Sequence, residues 1–374
     1  MKKNYLIILS FIVWACGKSS DLEIKNQEAQ LSIEQDTVLI DAKDEILMAA
    51  VNMYVFDLSP DKNLLYSFDR KTNSLEILDL VHYKLLEQRK FAPDGPDAVS
   101  SFPQRLISLG NDKIMIMGFE KSGIYTTEGE FLKEIALSPT MYQQPEEIKD
   151  FGFRNDIIFL NDSTVLTGIM SFQDIYPYLV KLHLNQKELS LIKFEPIKEL
   201  EKFKIEVESP KIIYTGNFNL VKFEDKILIS SNFFNDAYIL NPENGEYTHL
   251  TFTSELTPNS KTTGHKPLVS TPDEFSEEMK KLSQQIEFGK WLWDENEKLF
   301  YRLSYYKLPN EENEELANVY FSVFDQELNM LGEKRIPGYQ KVPGTYFVKD
   351  GAIWIHENID DELAFVRLKI SLSP

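Results

Sequence analysis

Three pairs of aromatic residues, Phe172 with Tyr176, Phe233 with Phe234 and Tyr305 with Tyr306, each fall in a short connection between strand-like segments. Charged or large aromatic residues lead into other such segments: Asp94, Asp97, Arg105, Arg154, Trp291 and Tyr346. Flat aromatic faces beside carboxylates and guanidinium groups suit a sugar or a peptide, because the rings stack on apolar ligand surface while the charges fix its orientation. The same rings could equally fill gaps between packed sheets, and both uses stay open at this point.

Catalysis would need more than these residues announce. The five histidines (His82, His183, His249, His265 and His356) are scattered singly, without the three- or four-residue pairing or the cysteine partner of a zinc site. There is no glycine-rich phosphate loop, no Gly-x-Ser-x-Gly elbow, no HExxH and no sialidase-type Ser-x-Asp-x-Gly-x-Thr box. Turns such as Asn161-Asp162-Ser163 and Asp94-Gly95-Pro96-Asp97 carry oxygens that calcium could use, but they lack the alternating pattern of a calcium loop, and turn formation accounts for them. Neither a metal nor a cofactor is expected. The alternative to a binding module is a hydrolase, lactonase or lyase using Asp94, Asp97 or Arg154.

The elements that must position these residues repeat. An apolar, aromatic-rich strand, a tight polar turn and a second such strand recur with turn centres near 62, 112, 162, 225, 296 and 350. Examples are Tyr54–Leu58 before Leu64–Phe68, Arg105–Leu109 before Ile114–Met117, and Ile157–Leu160 before Val165–Ile169. β-Branched and aromatic enrichment around Asn, Asp and Gly turns reads as hairpins. A weaker hairpin follows each strong one, as in Ser74–Leu80 with Lys84–Lys90, so each repeat supplies four strands. A period of about fifty residues signals repeat architecture, and the expected fold is all-β: a six-bladed β-propeller of four-stranded antiparallel blades. The last repeat lacks a fourth strand after Leu363–Ile370, and Thr37–Ile40 at the other end of the chain is expected to supply it, closing the ring and removing an exposed edge.

Two stretches interrupt the period, Pro196–Asn217 between the third and fourth blades and Thr253–Gly289 between the fourth and fifth. The second predicts one helical insertion over Phe275–Ile286: Thr271 is placed to cap it, Pro272 opens it, and Phe275, Met279, Leu282 and Ile286 share a face. Trp293-Asp294 spells the dipeptide of one propeller class but recurs nowhere else, and is read as coincidence.

The ends carry an address. Lys2 and Lys3, an apolar run from Leu6 to Ala15, and the lone Cys16 outline a bacterial lipoprotein signal peptide. The run is about ten residues, too short to cross a roughly 30 Å hydrocarbon core. Residues 1–15 are therefore expected to be removed, Cys16 to carry the lipid, 16–33 to form a tether and 34–374 the propeller. The net charge of −19 becomes −21 once two lysines leave with the leader, which argues against nucleic acid and anionic lipid surfaces as partners. With no second cysteine there can be no intrachain disulfide, and stability must come from the core. Gly17 lacks the retaining acid some bacteria use after the modified cysteine, so the outer membrane is the expected location, with a glycan, peptide or envelope protein as partner.

The Ala15-Cys16-Gly17 junction, the blade count, and Pro93-Asp94-Gly95-Pro96-Asp97-Ala98-Val99 between the first two blades together resemble the exported six-bladed propeller lipoproteins of the Bacteroidetes type. The chain is most similar to the family called domain of unknown function 4221. In that loop Asp97 stands where some relatives have a glycine. The resemblance implies a propeller and an envelope location, and it implies no reaction and no catalytic residues.

Overall fold

The computed structural model describes residues 22–23, 30–51, 53–171, 174–208, 211–309 and 316–373. The chain is all-β and propeller-like. Six sheets follow one another along it, each built around four antiparallel strands paired in chain order. Sheet one runs Phe56–Leu58, Leu64–Asp69, Ser74–Asp79 and Lys84–Lys90. Sheet two begins with Pro103–Gly110, sheet three with Phe151–Phe153 and Ile158–Asn161, sheet four with Phe218–Phe223, and sheet five with Glu287–Asp294. Sheet six contains Tyr346–Lys349, Ala352–Ile359 and Glu362–Ser373, and Gln30–Leu39 pairs antiparallel with the last of these along its whole length. The N-terminal strand thus completes the final sheet, and it reaches back to Gln30, well before the expected Thr37.

Turn chemistry explains the hairpins. Asn111 and Asp112, Asp350 and Gly351, and Asp360 and Asp361 all have positive φ in consecutive pairs, the geometry that matches the right-handed twist of the flanking strands. The second strand of each sheet is largely buried on both faces, as in Lys113–Gly118 and Leu299–Lys307, so its burial does not alternate, and in Ile114–Met117 the run is apolar throughout.

Six apolar clusters lie between consecutive sheets. They join one to two, two to three, three to four, four to five, five to six, and, through Leu65, Leu78, Trp354 and Phe365, six back to one. Polar ties cross the same boundaries. Asp294 is buried, accepts from the backbone N–H of Asn296 and Glu297 in its own turn, and accepts from Gly351 N–H of the next sheet at 3.0 Å. The aspartate of the isolated Trp-Asp pair therefore links two neighbouring turns.

The insertions differ from expectation. They combine in a seventh, three-stranded sheet: Ile205–Val207 pairs antiparallel with Ile212–Tyr214 and parallel with Leu268–Val269 from the second insertion. The helix Pro272–Ser283, capped by Thr271 accepting from Glu274 N–H, packs on this sheet. Together with the 3-10 turns of Glu195–Phe203, both insertions close over the junction of sheets three and four. Among the described residues no helix is long and apolar enough to cross a membrane.

Candidate functional site

The aromatic residues singled out from sequence divide sharply. Phe233, Trp291 and Tyr346 are interior and line none of the cavities, and Phe234 is buried with only its edge on a cleft beside Asp236 and His249. Phe233 packs tilted against Phe203 of the insertion with ring centroids 4.4 Å apart, Phe234 sits edge-on to Phe218, and Trp291 lies between Phe252 and Phe324. Tyr346 is buried with its hydroxyl donating to Lys290 O. Burying a large ring between sheets removes up to about 250 Å² from water, which is why these side chains take the inter-sheet position. Tyr305 packs against the core shared by sheets five and six, and Tyr306 is edge-on to Tyr320. Phe172 lies outside the described residues. Asp94 and Asp97 are exposed in the loop between sheets one and two, which is latched by Lys121 Nζ donating to Pro96 O and Ala98 O. Neither aspartate lines a cavity described below.

Arg105 and Arg154 do come together. They line one cavity of about 720 Å³ with Asp57, Asp156 and Lys290, under a wall that includes Tyr54, Phe119 and Met170. Asp57, Arg105 and Lys290 come from the first strands of sheets one, two and five, and Arg154 and Asp156 from the connection between Phe151–Phe153 and Ile158–Asn161 in sheet three; first strands of several neighbouring sheets pack against one another.

Each cation sits at an irregularity in its strand. The pairing of Pro103–Gly110 with Lys113–Gly118 slips between Pro103 and Arg105. Phe153 pairs with Ile169 and Ile158 with Leu166, so Arg154–Ile157 bulges out between them. Phe288 pairs with Ser304 and Trp291 with Arg302, which leaves Gly289 and Lys290 sharing the space opposite Leu303. Bulges turn a side chain away from the alternation of its strand and concentrate beside functional sites. Here three of them send guanidinium or ammonium groups into one space.

Local packing holds these groups. Arg154 Nε donates to Asp156 Oδ1 and Nη1 to Asn217 Oδ1, both at 3.0 Å, while its carbonyl accepts from Thr167 Oγ1. Gly168 makes this possible, because a Cβ there would stand 2.6 Å from Arg154 Cδ. Asp57 Oδ2 accepts from Ser108 N–H of sheet two at 2.9 Å. Neither the Arg105 nor the Lys290 side chain has a hydrogen-bonded carboxylate among the described residues; Lys290 Nζ lies 5.5 Å from the Tyr346 ring centroid.

The electrostatics follow. Burial pushes the Asp57 carboxyl above its ordinary value, opposed by Ser108 N–H and by the charges of Arg105 and Lys290. Burial also raises Asp156, with Arg154 opposing. Lys290 is pulled down to about 8, first by the protein around it and then by repulsion from Arg105. Lys290 is nonetheless exposed to solvent where it lines the cavity.

A second cavity of about 470 Å³ shares Arg154, Asp156 and Met170 with the first and runs under the insertion, lined there by Leu200, Glu201 and Lys204. Tyr176 belongs to this second space, its hydroxyl bonded to the backbone of Lys149. Among the described residues no group of three or more His, Cys, Asp or Glu is placed to hold a metal ion.

The family model described as a domain of unknown function (DUF4221) matches residues 28–335. The chain belongs to the DUF4221 family. A member of that family from Bacteroides vulgatus shares the fold with a TM-score of 0.69 at 16% identity, covering 93% of this chain and 100% of the other. A Bacteroides fragilis protein described as exported aligns with a TM-score of 0.52 at 11% identity, covering 93% and 99%. No curated protein matches this chain in sequence.

In this DUF4221 protein the residues that sequence reasoning missed are Asp57, Asp156 and Lys290. Asp156 lies two residues beyond Arg154 in the same connection, and Lys290 immediately precedes Trp291. Successive strand residues face opposite sides, so choosing the tryptophan as the ligand contact chose the core side of that strand.

Proposed function

We propose that this DUF4221 protein is a lipid-anchored binding module of the bacterial cell envelope, built as a closed six-bladed β-propeller whose inner cavity and adjoining cleft hold a glycan or a peptide. Six inter-sheet cores, the last returning to the first sheet, support the closed ring. Cys16 lies outside the described residues, and its place after a short apolar run supports the anchor and the outer-membrane address. One observation carries the binding reading: three bulged inner strands deliver Arg105, Arg154 and Lys290 into a single water-reached cavity. Crowding like charges is unfavourable for the fold alone, and perturbed groups gathered in a cleft mark functional sites.

Thermal unfolding of the full-length protein against glycan and peptide panels tests this reading. A ligand at a hundred times its dissociation constant stabilises the native state by about 2.7 kcal/mol. A rise in Tm that disappears in Arg154→Ala supports binding in the cavity, and a flat response across both panels counts against it. Incorporation of labelled palmitate, lost in Cys16→Ala, tests the anchor.

A second reading has its own observation. Asp57 and Asp156 are both raised by burial in the same cavity as a lysine at about 8, a set that could supply a general acid and base. Turnover on a glycosidase and lactonase panel that is abolished by Asp57→Asn would favour a hydrolase, lactonase or lyase.

A further inference from the structure

Resting on the binding reading, we infer that the inner cavity takes a sugar acid, with the ligand carboxylate held between Arg105 and Lys290. The cavity carries three cations and two carboxylates, an excess of one positive charge in a chain whose net charge is −19. Arg154 is committed to Asp156 and Asn217. Arg105 and Lys290 are the cations left without a carboxylate partner in hydrogen-bond contact among the described residues, and they come from different sheets.

A planar guanidinium matches a planar carboxylate through two parallel hydrogen bonds, and an ammonium beside it adds a point charge. The flanking acids argue against a phosphate ester. Asp57 and Asp156 would repel a dianion, whereas a single ligand charge balances the excess. The same two carboxylates are acceptors, and hydroxyl groups are the ligand donors that satisfy them. Tyr54 and Phe119 are 72% and 80% exposed at the cavity wall, where ring faces can cover the apolar face of a pyranose. A cavity of about 720 Å³ has room for one or two sugar units.

The test uses the full-length protein and calorimetric titration with galacturonate, its methyl ester and glucose 6-phosphate at fixed ionic strength. Galacturonate is expected to bind at least tenfold more tightly than the uncharged ester, the effect of losing one charge-assisted hydrogen-bonded contact. Arg105→Gln is expected to abolish that preference, and Lys290→Gln to reduce it. Equal affinity for acid and ester overturns the carboxylate assignment and leaves the binding module standing. Tighter binding of glucose 6-phosphate overturns the choice of carboxylate over phosphate. Retained preference in Arg105→Gln overturns the location. Absence of binding by all three probes overturns the sugar-acid inference, and the peptide panel then decides whether the binding reading falls with it.

Discussion

Arg302, on the second strand of sheet five, and Arg105, on the first strand of sheet two, are used in opposite ways. Arg302 is fully buried, and its guanidinium donates to backbone carbonyls of Gly289, Ser231, Phe234 and Asn235 and to the Asn235 side chain. Burial lowers its proton affinity, but a guanidinium ringed by carbonyl oxygens remains a cation. Arg105 projects into a water-reached cavity with no such ring of acceptors. The difference teaches that a satisfied cation is architecture and an unsatisfied one is available to a ligand. The two are also connected: Arg302 Nε holds Gly289 O at 3.0 Å, beside the bulge that aims Lys290. The buried arginine is thus a positioning residue for one of the open cations.

The largest expected effect comes from breaking the buried member of this comparison. Arg302→Met leaves several buried carbonyls without donors, at about 1–3 kcal/mol for each one that cannot repair its bond. A loss of about 3 kcal/mol or more is expected, read as a lower urea midpoint. Arg302→Lys should recover little of it, because an ammonium cannot span the same fork of acceptors. A midpoint unchanged in both variants would remove the structural role assigned to Arg302.

A smaller effect is expected at the support of Arg154. Gly168→Ala places a methyl group 2.6 Å from where Arg154 Cδ now sits, so the side chain must swing away from Asp156 and Asn217. Forcing an extra methyl into a packed site costs about 1–3 kcal/mol. Because Arg154 joins the two cavities, binding of any ligand spanning them should weaken together with the loss of stability. Loss of stability with unchanged affinity would place Arg154 outside the binding surface.

Much of the repeat pattern was legible, and the reasons are local. Asn111-Asp112 and Asp350-Gly351 announce tight turns by side-chain type, and Leu64–Asp69 or Ile353–Ile355 announce strands by composition. Proline after threonine marked the helix start at Pro272 correctly. Pairings between distant segments were not legible. Glu206 and Val207 meet Leu268 and Val269 across about sixty residues of chain, and only that pairing reveals that the two insertions are one unit burying Phe233. The site was half legible: Arg105 and Arg154 stood out by type, while Asp57 and Lys290 depended on strand register and bulges that no residue type specifies.

The finest test of the comparison lies in the pH response of Lys290. Its ordinary value of 10.5 applies to the unfolded chain, and the fold lowers it to about 8, first through burial and then through repulsion by Arg105, with Asp57 attracting the charge and the Tyr346 ring beside it. Between those values the unfolded chain holds a proton that the native protein has released, so this group makes stability rise with pH from about 8 to 10.5 and disfavours the native state below that window. Binding of an anionic ligand must move the other way, because the native cation disappears as pH passes 8. Lys290→Met should therefore raise the urea midpoint at pH 7, by an amount that the solvent exposure of Lys290 limits to about 1 kcal/mol or less. Comparing variant with parent at pH 7 and pH 9.5 cancels the other groups that titrate in common: the stability gain should shrink at the higher pH, and the parent's affinity for galacturonate should fall toward that of the variant. If the two midpoints run parallel across this range while affinity still falls above pH 8, the charge that matters belongs to another residue, and Lys290 would join Arg302 as architecture.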